Sequence, residues 1–173
     1  ALYVGAGLAA GQSDHAEARQ MLETCLELRR SMGNPFDIAS TLSTLAEVQL
    51  QAGDAVGAAV GEQEALRIYC QLGDRINEAI SLLHLGQIAF YVGDDAQARE
   101  HLDRSLAIAR EIKHQEVEGA CELVLGESAF EAGDQPRAYV RFSRSLAVWR
   151  DAGDKRGEAS AQWRLGRLDL KAG

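Results

Sequence analysis

Residues 93–134 read GDDAQAREHLDRSLAIAREIKHQEVEGACELVLGESAFEAGD, a segment that begins and ends on Gly-Asp and holds two apolar-periodic stretches meeting at Lys113-His114. Shifting the chain against itself by 40 residues superposes Gly53-Asp54, Gly93-Asp94 and Gly133-Asp134, with Ser13-Asp14 at the same place. Ala18, Ala58, Ala98 and Ala138 share a column, as do Leu26, Leu66, Leu106 and Leu146. A second set holds Ala39, Ala79, Gly119 and Ala159, followed by Leu45-Ala46, Leu85-Gly86, Leu125-Gly126 and Leu165-Gly166. The chain therefore divides into frames 14–53, 54–93, 94–133 and 134–173, and residues 1–13 are expected to be the remainder of a first helix.

Each frame contains two stretches whose apolar residues recur every three or four positions. Ala98, Leu102, Ser105 and Leu106 fall on one stripe, which predicts helices near 94–111 and 74–92. The separators are short. A glycine can take the left-handed conformation that closes one helix, and the Asp or Asn after it can accept from the free amides that open the next. Gly33-Asn34, Gly73-Asp74 and Gly153-Asp154 join the Gly-Asp set in this role. Asp14 with Glu17 and Asp94 with Gln97 have the spacing of a capping box. Pro35 and Pro136 fall in first helical turns, where the missing amide proton does no harm. Lys113-His114 replaces the glycine corner and is expected to be the least regular. Glycine inside a helix costs about 1 kcal/mol relative to alanine, so the recurrence of Gly86, Gly126 and Gly166 predicts a close helix approach, with Ala98 and its equivalents facing the gap.

The composition narrows the function. With 46% hydrophobic residues, 25% charged and two prolines among 173, the chain has the makings of a packed core, not of a disordered segment. No apolar run reaches the roughly 18 residues of a membrane span, and Leu2 to Ala10 lacks the flank of a secretory signal, so a cytoplasmic location is expected. A net charge of −8 argues against direct nucleic-acid binding through counterion release. Cys25, Cys70 and Cys121 are odd in number and far apart, as reduced thiols in a cytosolic chain would be. His15, His84, His101 and His114 form no metal-ligating pair, and Ala10 stands where a phosphate loop beginning at Gly5 and Gly7 would need its third glycine. No metal, cofactor or catalytic triad is expected, and the carboxylates Glu111, Glu116, Glu118 and Glu122 are expected on exposed helix faces. The protein is not expected to be an enzyme.

Leu-Gly late in the first helix, Gly-Asp seven residues on, Ala four residues after that Asp, and a following Leu-x-Ile/Val resemble the tetratricopeptide repeat (TPR) over the whole chain. The unit of 40 exceeds the usual 34 and is similar to the longer units of Pins-type adaptors, Rap-type regulators and bacterial regulator sensor regions. The resemblance implies an all-α, right-handed superhelical solenoid of antiparallel helix pairs, about four repeats plus a partial first helix, in one domain spanning 1–173. It also implies a concave face, lined by the first helix of each pair, that binds protein or peptide. The matching groove positions are Ser43, Glu47, Leu50 and Gln51; Leu83, Gln87, Phe90 and Tyr91; Leu123, Glu127, Phe130 and Glu131; and Trp163, Arg167, Leu170 and Lys171. Leu50, Phe90, Phe130 and Leu170 could equally fill the contact between units. The glutamates with Gln87 favour a peptide bearing Lys or Arg. Ser43, Leu83 and Leu123 occupy the lysine column by which some TPR domains hold a C-terminal carboxylate, so that mode is not expected. The frames carry −3, −3, −6 and +4 charges, which gives the alternative of head-to-tail self-association. The resemblance implies the sensor or adaptor part of a larger regulatory protein.

Overall fold

A computed structural model describes His15–Ala172, with side chains as far as Leu168. Eight helices and no strand occur among these residues: α1 (His15–Met32), α2 (Pro35–Gln51), α3 (Ala55–Leu72), α4 (Arg75–Tyr91), α5 (Asp95–Ile112), α6 (Gln115–Glu131), α7 (Gln135–Ala152) and α8 (Lys155–Ala172). Equivalent helices start 40 residues apart, as the sequence columns require. The readings that fall on 1–13, Asp14 and Gly173 lie outside the described residues.

The corners are built as glycine and a capping oxygen dictate. Gly33, Gly53, Gly73, Gly93, Gly133 and Gly153 all have φ between 67° and 85°, a region that costs glycine nothing. Behind them, Asp54, Asp74, Asp94 and Asp134 each accept from the backbone N–H three residues on, at 2.8–3.1 Å. The Lys113-His114 corner, expected to be irregular, keeps the same geometry. Lys113 takes φ 57°, the one positive value among the described non-glycine residues, and His114 Nδ1 accepts from Val117 N–H at 3.3 Å. An imidazole nitrogen here substitutes for a carboxylate, while the lysine backbone tolerates a conformation it disfavours.

Every helix packs on its chain neighbours, most intimately within the pairs α2–α3, α4–α5 and α6–α7. Successive first helices also approach one another, α4 to α6 and α6 to α8, more than successive second helices do. The stack is a TPR-like solenoid whose first helices crowd towards the inner side. Its core runs the length of the stack, from Leu22, Leu42 and Tyr69 through Leu82, Leu102 and Cys121 to Phe142 and Leu168.

The glycine seam holds at two of its three expected positions. A Cβ on Gly86 would stand 2.6 Å from Leu102 Cγ and 3.3 Å from the Ala98 carbonyl, and one on Gly126 would stand 2.5 Å from the Phe142 ring. At Gly166 such an atom meets nothing within 4 Å. No described helix packs against that side of α8, so the column is shared without the contact.

Candidate functional site

The groove positions taken from the repeat pattern lie on α2, α4, α6 and α8, but they divide by environment. Glu47, Gln51, Tyr91, Glu131 and Trp163 are exposed, Tyr91 and Trp163 by 64% and 60%. Ser43, Gln87, Phe90, Leu123, Glu127 and Arg167 are half-buried. Leu83 and Phe130 are buried in the cores of the second and third units. Lys171 and Leu170 lie beyond the last described side chain.

Towards the C-terminal end the face is closed by its own ion pairs. Arg164 Nε donates to Glu127 Oε1 at 2.5 Å, and Arg167 Nη1 lies 3.5 Å from the same oxygen. The Arg167 guanidinium stacks between two rings, 4.5 Å from the Phe130 centroid and 4.8 Å from that of Trp163. Cation–π contact of this kind fixes a planar cation where it also meets a carboxylate. Glu122, expected on an exposed face, is instead fully buried. Arg110 reaches its Oε1 at 2.7 Å and Arg141 its Oε2 at 2.9 Å. Its column reads Leu42, Leu82, Glu122, Gln162, so a carboxylate enters a position built for leucine and takes two guanidinium partners with it. Three arginines of the basic last unit are thus occupied with glutamates of the acidic one before it.

Between α2 and α4 the face stays open. Ala46, Glu47 and Leu50 of α2, Glu62 of α3, and His84, Gln87 and Ile88 of α4 line a recess of about 110 Å³. Glu62 is among these lining residues, yet the residue as a whole is buried. Its Oε1 accepts from Ser43 Oγ at 3.2 Å and lies 3.5 Å from His84 Nδ1. Its Oε2 is buried with no hydrogen-bond partner among the described residues. Burial alone would depress the His84 imidazole, but the Glu62 and Glu47 carboxylates outweigh it and hold the group above its ordinary range.

Glu47, Gln87 and Ser43 were legible as groove positions; Glu62 and His84 were not. The signal for Glu62 is its column, which reads Leu22, Glu62, Leu102, Phe142 and so interrupts an otherwise apolar position. His84 is 22 residues away, beyond the reach of any helical spacing rule, and only the packing of α4 on α3 joins them.

The Cys70 and Cys121 thiols are both pushed above their ordinary range, chiefly by burial. Cys121 is buried and held at about 12, because desolvation penalises the thiolate. Among the described residues no group of His, Cys, Asp and Glu is arranged to hold a metal ion, and no helix is long and apolar enough to cross a membrane.

No family model matches the chain. No curated protein matches it either. Solved structures do. The aspartyl phosphate phosphatase F of Bacillus subtilis superposes with a TM-score of 0.92 at 12% identity, over 99% of this chain and 45% of that one. RapI in its apo form gives 0.86 at 10%, over 99% and 62%. Nearly identical TPR-like repeats of a kinesin light chain from Podosopora anserina give 0.78 at 15%, over 96% and 82%. Identities this low carry the fold and nothing finer, and the chain spans less than two thirds of the first two proteins.

Proposed function

We propose that this chain is a protein- or peptide-binding scaffold that receives its ligand along the inner face formed by α2, α4, α6 and α8, as the sensor or adaptor part of a larger regulatory protein. The open recess between α2 and α4 carries this reading. Its lining includes the exposed Glu47 and, on α4, Gln87, which stands four residues before the exposed Tyr91. Aromatic side chains that stand exposed beside a polar recess are the residue type that dominates binding energy at interfaces. The TPR-like neighbours support a scaffold of this kind. Three free cysteines with no disulfide between them fit a cytoplasmic setting. The 40-residue unit aligns the chain with the longer repeats of Rap-type regulators.

The self-association reading rests on the contrast between the acidic third unit and the basic fourth. It is left with less charge to work with, since Arg141, Arg164 and Arg167 already meet Glu122 and Glu127 within one chain.

A test begins with peptides selected from a random library on the purified chain and measured by fluorescence anisotropy. Tyr91→Ala and Glu47→Ala are expected to weaken the selected peptides at least tenfold, whereas Leu28→Ala, on the exposed side of α1, leaves them unchanged. The reverse pattern would place the ligand on the outer helices and reject the proposal.

A further inference from the structure

We infer that the Glu62 recess is a socket for a primary ammonium on an alkyl stem, the end of a lysine side chain of the bound peptide. The inference deepens the groove reading and rests on it.

Three observations converge on this chemistry. First, Glu62, one of the residues that line the recess, has a carboxylate oxygen, Oε2, that is buried without a hydrogen-bond partner among the described residues. A buried carboxylate oxygen left without a partner costs more than an ordinary hydrogen bond contributes, so the site gains from a guest that brings a donor and a positive charge. Second, the rim adds acceptors of the same kind, the Glu47 carboxylate and the Gln87 side-chain amide, while Ala46, Leu50 and Ile88 supply apolar wall. That division suits a side chain with a methylene stem and a charged head. Third, Glu62 itself has only one oxygen without a partner among the described residues. Ser43 and His84 already engage Oε1, so the paired oxygens that a guanidinium fork prefers are not on offer, whereas a compact ammonium with rotating donors needs just one.

Comparison along the stack sharpens the point. In the next unit the groove acid Glu127 is held by Arg164 and Arg167, and the buried Glu122 by Arg110 and Arg141. Each of those carboxylates has its cation from within the chain. Among the described basic side chains only His84 pairs with Glu62, at 3.5 Å, and the corresponding position in the other units is Leu22, Leu102 or Phe142. Packing alone would be better served by leucine.

The test uses n-butylammonium as the lysine mimic and n-butanol as its neutral counterpart, followed by nuclear magnetic resonance of the full chain. n-Butylammonium is expected to shift the Gln87 side-chain amide, the His84 ring and the α2 and α4 amides around the recess, and n-butanol to leave them in place. Glu62→Gln, nearly the same shape, is expected to weaken the response at least tenfold. Glu62→Leu is expected to abolish it while melting at or above the parent temperature. Equal shifts with n-butanol, an undiminished response in Glu62→Gln, or a lower melting temperature for Glu62→Leu would each overturn the socket. Library-selected peptides separate this from the broader reading. If they bind the inner face but are indifferent to replacing lysine by norleucine, the socket fails and the groove stands. If the ammonium response is intact and no peptide binds, the groove reading alone fails.

Discussion

Glu62 sets the stability of its unit against the use of its surface. A buried ionic group exchanged for a well-packed apolar one often leaves a protein more stable by about 1–4 kcal/mol, and the repeat itself shows that leucine fits this column at Leu22 and Leu102. Glu62→Leu is accordingly expected to raise the stability of the chain by about 1–2 kcal/mol, read as a shift in the denaturation midpoint. His84 adds a pH dependence of definite sign. The titratable groups that face it are Glu62 of α3 and Glu47 of α2, and together they hold its folded-state value above the unfolded one near 6.5. A raised value means that its contribution to stability is fully present below about pH 6.5 and fades as the pH climbs through the folded-state value. An imidazolium also competes with any guest cation for Glu62. Binding of n-butylammonium is therefore expected to tighten as pH rises through that range, and His84→Gln to flatten both profiles. A guest affinity that falls with rising pH would contradict this arrangement. Columns that agree were easy to read from the sequence; Glu62 and Glu122 are where columns disagree. Glutamate on a helix is ordinarily solvated, and a break in an otherwise apolar column is the one sequence signal that sets Glu62 apart from its exposed neighbours, whereas its partners come only from the three-dimensional packing.

At the scale of the helix, the corners were the most legible feature, because a left-handed residue and a capping oxygen are local requirements that two letters can state. Lys113-His114 looked like an exception and proved to be the same corner made from other atoms, with His114 Nδ1 accepting where an Asp oxygen does elsewhere. The Leu-Gly column was legible only in part. The letters at Gly86, Gly126 and Gly166 are the same, but the close approach depends on what packs opposite. Gly86→Leu is expected to overpack the seam against Leu102 and cost about 1–3 kcal/mol. Gly166→Ala, with nothing within 4 Å of the added carbon, is expected to gain up to about 1 kcal/mol from helix propensity. Thermal melts of the two variants moving in the same direction would show that the seam has been assigned to the wrong glycines.

Over the whole molecule, stacking carries the sequence period into an inner face made of every first helix. That face is not uniform. Its C-terminal part is tied by Glu127, Arg164 and Arg167 with the Phe130 and Trp163 rings, while its N-terminal part keeps an acidic recess lined by Glu47 and Glu62. The contrast was invisible in net charge by frame, which marked the last two units as most distinctive. Three arginines of the last unit meet two glutamates of the one before it, and the recess lies between the first two frames, each of which is only mildly acidic. A ligand is thus expected to be anchored at α2 and α4 and to extend along the stack towards Trp163. The most direct measurement is chemical-shift mapping of a library-selected, lysine-containing peptide on the full chain. The account predicts perturbations centred on Glu47, Gln87 and Tyr91 that continue along the first helices, with α1, α3, α5 and α7 silent on their outer sides. Perturbations confined to those outer sides, or spread evenly over both, would contradict it.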